Sequence, residues 1–340
     1  QQGQSQLDQK KLYNQNSEKM SDRIHTFGDM RNNAGNNNRG GRPAGGGSGP
    51  SGGQQGQSQP LIAGRISNPR NETFWDMLKF NFCPTFSIRS FIFIVSILDI
   101  VMYIATLAYD GVDKEGDFLE PTNKALDKFG QKDPYKMKHD PEQVYRWFMP
   151  MFLHEGLAHI MFNLISQMIF GFWFEALVGT VRVAAVYLVG GIGGILFSAL
   201  VSNSNSVGAS TAIFAILGGM LAWLLLNWFY LDPNIRCQMS CILIVVLLLN
   251  FLFTLGATNV DNYGHLGGLM TGFFVGLSVL KYPPGEINMF GLPIPQYQDP
   301  HANPDRKWEK YWQISGYVCS FMFYVGGFVL FYTVRHPDEQ

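Results

Sequence analysis

GASTAIFAILGGMLAWLLLNWFY, residues Gly208–Tyr230, contains no Asp, Glu, Lys or Arg. At a rise of about 1.5 Å per residue, a helix of that length crosses the ~30 Å hydrocarbon layer of a bilayer. The apolar character extends far on either side. From Trp147 to Leu280 the only Asp, Glu, Lys or Arg residues are Glu155, Glu175, Arg182, Asp232, Arg236 and Asp261. Six charges over 134 residues cannot supply a water-facing surface, so this region belongs in a membrane. Seven stretches read as spans, at roughly 90–109, 150–174, 181–202, 209–230, 238–257, 262–281 and 312–333. Two of them differ from plain lipid-facing anchors. The second carries His154, Glu155, His159 and Asn163, and the sixth is glycine-rich and carries His265.

The whole-chain averages conceal this, because they mix two unlike regions. The 340 residues have a formal net charge of −1 and a mean hydropathy near zero. Residues 1–60 are dominated by Gln, Asn, Gly and Ser, with Tyr13 and Phe27 as their only Phe, Tyr or Trp. Such a stretch buries too little apolar surface to offset its chain entropy, so 1–65 is expected to be a disordered cytosolic tail. The reading then runs 66–88 juxtamembrane, 89–281 a six-helix core, 282–311 a cytosolic linker, 312–334 a seventh transmembrane helix and 335–340 a short tail. The amino-terminal region has no apolar run and no Arg-rich amphipathic stretch, which predicts neither a cleavable signal peptide nor a mitochondrial presequence. Residues 1–88 carry ten Lys or Arg against six acids, and Arg306, Lys307 and Lys310 precede the last span. By the positive-inside rule both segments face the cytosol and 110–146 is lumenal or extracellular. The sequon Asn71-Glu72-Thr73 would then go unused. Near-neutral charge without a basic face excludes nucleic acid as a partner. The four cysteines, Cys83, Cys237, Cys241 and Cys319, lie in or beside apolar segments and read as small packing residues. Cys83, beside the first span, is also a candidate for palmitoylation.

Ionisable groups inside a membrane are costly and are functional suspects by default. The series His154-Glu155-Gly-Leu-Ala-His159 brings zinc-protease motifs to mind, but its spacing is five where those motifs use four. On one regular helix the two rings would diverge by about 140°, too far to share a metal. His159 and Asn163, four apart, share a face and form a pair of hydrogen-bond donors. Ser210 follows Gly208 and precedes Ala212, Ala215, Gly218 and Gly219. The glycine permits a tight turn, and the helix opening there directs free N–H groups at whatever lies before it. In the sixth span Gly264, Gly268, Gly272 and Gly276 recur every fourth residue, a stripe that lets two helices approach closely. If the partner helix carries Ser210, imidazole and hydroxyl come within hydrogen-bond reach, and Phe214, one turn on, can stack on the ring. The same pattern also fits a packing face merely capped by a histidine.

In combination these residues resemble a known family. Tyr145-Arg146, His154-x4-His159-x3-Asn163, Glu175, Gly208-x-Ser210 and Gly264-His265-x-Gly267-Gly268 are similar to the motifs of the rhomboid intramembrane serine proteases, in the same order over roughly 145–280. The resemblance implies an all-α polytopic fold, six helices plus a seventh as in the secretory-pathway type. It implies Ser210 as nucleophile and His265 as general base. His159, Asn163 and the Ser210 N–H would receive the oxyanion, while His154, Gly208, Phe214, Gly264 and Gly268 support the site. Arg146 matches a loop-stabilising arginine and Glu175 a carboxylate buried among polar partners. Two positions depart from the family pattern: Tyr145 stands where Trp is usual, and Thr211 where Gly is usual.

The implied activity is endoproteolysis of single-span membrane proteins near the lumenal or extracellular end of their helix. The substrate helix would be locally unstable there, because a regular helix hides its carbonyls in hydrogen bonds. The chemistry requires no metal and no organic cofactor. Water would enter from the lumenal face, with Ser202–Ser206 and Gly256–Tyr263 as covers. The expected setting is the secretory pathway, endosomes or plasma membrane, with transmembrane proteins and the lipid bilayer as partners. The alternative is a silent relative that binds membrane clients without cutting them. A transporter is disfavoured by the sparse buried charge and the lack of repeated halves.

Overall fold

A computed structural model of the chain describes residues 87–229, 231, 233–254, 260–280 and 307–334. The expected tail 1–65, the sequon, Cys83, residues 281–306 of the linker region, 335–340 and residues 256–259 of the 256–263 loop lie outside the described residues.

The described chain is helical, with isolated β-bridges such as Val112–Pro121 and Lys132–Ser206. Helix α1, Phe91–Asp110, starts at Ser90, whose hydroxyl accepts the Phe93 N–H at 3.0 Å. A polar insertion follows, holding α2 (Asn123–Phe129) and α3 (Pro134–His139), each opened by a capping side chain, Thr122 and Asp133. Two 3₁₀ turns, Pro141–Trp147 and Met149–Phe152, return the chain to the membrane. Helix α4, Gly156–Ser166, passes through a π-helical turn at Gln167–Gly171 into α5, Phe172–Val178, and the three form one apolar span. Then come α6 (Thr180–Val201), α7 (Ser210–Asn227), α8 (Pro233–Thr254), α9 (Asn262–Val279) and α10 (Lys307–Thr333).

A helix stands at each of the seven expected spans. Among the described residues, α1, α4–α5, α6, α7 and α10 are long and apolar enough to cross a bilayer. The apolar part of α8 is shorter, Arg236–Asn250, and α9 is diluted by its glycines. The second span needs correction. Its helix begins at Gly156 and not near 150, because Pro150 sits in a 3₁₀ turn and Gly156 takes φ +79°. The cysteines also need correction: Cys237, Cys241 and Cys319 are exposed on the bundle's exterior rather than packed inside.

Glycines hold the centre together. A methyl group on Gly268 would overlap the Thr211 carbonyl, one on Gly272 the Ala215 carbonyl, and one on Gly218 the Leu269 carbonyl. The backbones of α7 and α9 therefore touch directly, and α6 closes on both through Gly190, Gly193 and Gly194. Helix α10 lies outside, Gly316 against the Phe274 carbonyl, with Trp147 packed edge-on against Phe328 and Phe331. Lys138 Nζ donates to the Val334 carbonyl at 2.6 Å, so α10 ends beside the polar insertion and crosses from the other side. The arrangement is that of a multi-pass membrane protein.

One buried polar group escaped the sequence reading. Asp99 of α1 is fully buried, and its Oδ2 accepts from Gln167 Nε2 at 2.7 Å. Tyr187 donates in turn to Gln167 Oε1 at 2.8 Å. Gln167 is the first residue of the π turn, where the ladder's extra residue re-aims side chains. The signal was present as one carboxylate interrupting an apolar run.

Candidate active site

Ser210 is the first residue of α7, reached through Gly208 at φ +133°. A Cβ at Gly208 would lie 2.8 Å from His159 Nε2, so only glycine admits that imidazole against the turn. The Gly208 N–H donates to the Pro150 carbonyl at 2.8 Å, fixing the approach to the helix. Ala212 and Ile213 both donate to the Ala209 carbonyl, and the first N–H groups of a helix have no partner within it. Those of Ser210 and Thr211 are the ones at the mouth.

His265 lies one turn into α9, and its Nε2 is 2.9 Å from Ser210 Oγ. Phe214 stacks on the imidazole, with ring centroids 4.3 Å apart and planes 7° from parallel. His265 Nδ1 is buried without a hydrogen-bond partner among the described residues. Among the described residues no carboxylate hydrogen-bonds the ring; packing against Phe214 orients it.

Across the turn, His159 Nδ1 accepts the Glu155 N–H at 3.3 Å. A ring nitrogen that accepts carries no proton, so in the neutral ring the hydrogen is on Nε2, which faces Gly208 and Ser210. Asn163, buried one turn along α4, donates Nδ2 to the His159 carbonyl at 3.0 Å. His154 is not on α4. It precedes the helix on an extended segment, and its fully buried ring meets His159 edge-on at 5.4 Å. The 140° divergence assumed one regular helix through both histidines, which the break at Gly156 removes.

Thr211 enters the junction of α6, α7 and α9. Its side chain faces Gly194 and Gly264, and its carbonyl faces Gly268. Three glycines make the room that the larger residue needs, so its bulk is taken up in the helix seam. Gly264 also donates its N–H to Asp261, at 2.8 Å.

Arg146 and Glu175 stand apart from these groups. Arg146 is buried in the insertion, donating to Gln143 Oε1, the Gln131 carbonyl, and the Asp127 carbonyl and carboxylate at 2.7–3.0 Å. Tyr145 lays its ring over Gly130, which ends α2 at φ +103°. Glu175 accepts from the Phe91 and Ile92 N–H groups at 2.8 and 3.0 Å and from the Thr180 hydroxyl at 2.8 Å. It therefore caps α1 at the start of α6. The nucleophile's loop follows the other end of that 22-residue helix, about 33 Å away.

The comparisons bear on the same residues. The family profile described as Rhomboid domain matches 141–282, the stretch that holds every residue above except those of α1 and the insertion's first part. Rhomboid-like protease 1 of Toxoplasma gondii is 34% identical over 196 residues, which cover 57% of this chain and 65% of that one. RHOMBOID-like protein 6, mitochondrial, of Arabidopsis thaliana is 36% identical over 172 residues, 50% of this chain and 54% of that one. The chain thus spans between half and two thirds of these two relatives. RHOMBOID-like protein 5 of Arabidopsis thaliana is 32% identical over 268 residues, covering 77% of this chain and 80% of that one. The chain belongs to the rhomboid family.

Proposed function

We propose that the protein is an intramembrane serine endopeptidase that cuts single-span membrane proteins near the end of their helix on the insertion's side of the membrane. The observation that carries this reading is the 2.9 Å approach of His265 Nε2 to Ser210 Oγ at the opening of a helix. A serine hydroxyl is a weak nucleophile until an adjacent base takes its proton. His265 Nε2 accepts that proton as Ser210 Oγ attacks the substrate carbonyl carbon. The tetrahedral oxyanion forms beside His159 Nε2–H, Asn163 Nδ2–H and the Ser210 N–H. His265 returns the proton to the leaving amine, leaving an acyl-enzyme ester on Ser210. Water, deprotonated by the same imidazole, then hydrolyses the ester.

In a low-dielectric site preorganised donors act more strongly than in water. Phe214 takes the orienting part that a carboxylate plays in a triad. The name of the Toxoplasma relative, a rhomboid-like protease, agrees with this chemistry. The basic residues near the span ends favour a cytosolic amino terminus, and the 6+1 order of helices favours a secretory-pathway, endosomal or plasma membrane. The test is cleavage of a single-span reporter by the wild type, Ser210→Ala and His265→Ala in the same membranes. Cleavage is expected to vanish in both variants at equal expression; persistence in both would overturn the dyad.

A further inference from the structure

Lys132 and Asp261 form a buried ion pair next to these groups, and no motif links them. Lys132 is 1% exposed, with Nζ 3.4 Å from Asp261 Oδ2 and 2.5 Å from Ser198 Oγ. The hydroxyls of Ser198 and Ser206 donate to the same carboxylate at 2.6–2.7 Å. Lys132 and Ser206 also exchange both backbone hydrogen bonds, at 3.0 and 3.3 Å. Asp261 meanwhile caps α9: its Oδ1 accepts the Gly264 N–H and its carbonyl accepts the His265 N–H at 3.0 Å. The junction thus grips the chain four residues before Ser210 and four residues before His265. It ties both to the insertion and to the end of α6.

Capping alone does not explain this arrangement. A neutral Asn or Ser caps a helix as well as Asp does. Burying an ammonium group is expensive, and a buried ion pair seldom stabilises a fold more than an apolar pair of equal volume. What it does provide is registration, because two charges with directed hydrogen bonds admit one geometry where apolar contacts admit several. Burial pushes Asp261 up, but Lys132, Ser198, Ser206 and the Gly264 N–H together hold it below the ordinary carboxylate range. Burial draws Lys132 down, with Asp261 opposing.

We propose that Lys132 and Asp261 are positioning residues for the dyad, holding the first turn of α9 against the segment that enters α7 so that Nε2 and Oγ stay within hydrogen-bond distance. This rests on reading Ser210 and His265 as that dyad. Asp261 is not a third triad member, since its oxygens are engaged by Lys132, Ser198, Ser206 and Gly264 and it acts through the backbone of α9.

The test uses the full chain in proteoliposomes, with a fluorophosphonate probe that labels the serine and a single-span reporter. Asp261→Asn keeps the cap and removes the charge. Labelling rate and kcat are expected to fall about 10- to 100-fold with KM unchanged. Lys132→Met/Asp261→Asn removes both charges, so its Tm is expected to return to the wild-type value while labelling stays slow. That separation of Tm from reactivity is what a merely structural pair would not produce. Recovery of both Tm and labelling in the double variant would overturn the proposal, as would a wild-type labelling rate in Asp261→Asn. The double variant carries the test if Asp261→Asn does not fold. Wild-type protein that is not labelled, or is labelled equally in Ser210→Ala, would instead overturn the dyad itself, and the positioning role with it.

Discussion

Helices α7 and α10 are both apolar enough to span a bilayer, yet 83% of the apolar stretch of α7 is buried in the protein against 11% of that of α10. Hydrophobicity does not separate them, since lipid tails satisfy a Leu or Phe as well as a neighbouring helix does. Side-chain size does. Helix α7 offers Gly218, Gly219 and several alanines, and α9 meets it with glycines at every fourth position, so backbones touch. Helix α10 has Gly316, Gly326 and Gly327 but no alanine, is otherwise mostly Phe, Tyr, Val and other large residues, and is fastened at points: Gly316 on α9, Tyr324 Oη on the Val189 carbonyl, and the Trp147 ring. Small residues therefore decide which helix becomes interior, and the interior is where buried polar groups can be held in fixed positions.

That contrast can be broken by substitution. If inner polar groups do the chemistry, His159→Ala and Asn163→Ala should each lower reporter turnover by about 10²–10³, or ~3–4 kcal/mol of barrier. The protein should remain folded. Near-normal turnover in purified, folded variants would remove these residues from the oxyanion site.

The packing half of the comparison is sharper at two glycines. Gly268→Ala forces a methyl group onto the Thr211 carbonyl and should destabilise the bundle by about 1–3 kcal/mol. Gly326→Ala, with nothing within 4 Å, should change stability by less than ~0.5 kcal/mol. Thermal unfolding of both in the same detergent gives the comparison, and equal effects would refute the role assigned to the seam.

The mouth of the site should also titrate. Burial, then the nearby Glu120 and Asp117, raise Glu155 from the ordinary carboxylate range to about 7. Between those pH values the folded protein binds more protons than the unfolded one, so stability falls as pH rises across that window. Glu155→Gln should flatten the slope of Tm against pH between about 4.5 and 7; an unchanged slope would place its origin elsewhere. The smallest effect is expected on the flank. Tyr324→Phe removes one hydrogen bond, worth about 0.5–1.5 kcal/mol, and should leave turnover within about twofold.

Much of this architecture was legible because its signals are local. Apolar runs marked the helices, and four-residue spacing put His159 with Asn163 and Gly264 with Gly268. The glycine before Ser210 announced the turn that His159 occupies. Local arithmetic fails where a helix boundary intervenes: His154 and His159 do not share a helix, because the helix starts only at Gly156, at φ +79°. It also fails for pairs distant in sequence. Asp99 and Gln167 are 68 residues apart, and Lys132 and Asp261 129. No period connects such pairs; the return path of a loop brings them together.

By itself the sequence determined the medium of this chain, the helices and their approximate ends, and the residue types available for chemistry. These follow from composition and from the 3.6-residue repeat, which act over one or two turns. The tertiary structure decided which helices became interior, which nitrogen of His159 faces the turn, and which charge compensates Lys132. Those outcomes depend on distances between segments that the backbone's local preferences leave open. They are settled only when glycine seams bring three helices into contact and buried polar groups must find partners there.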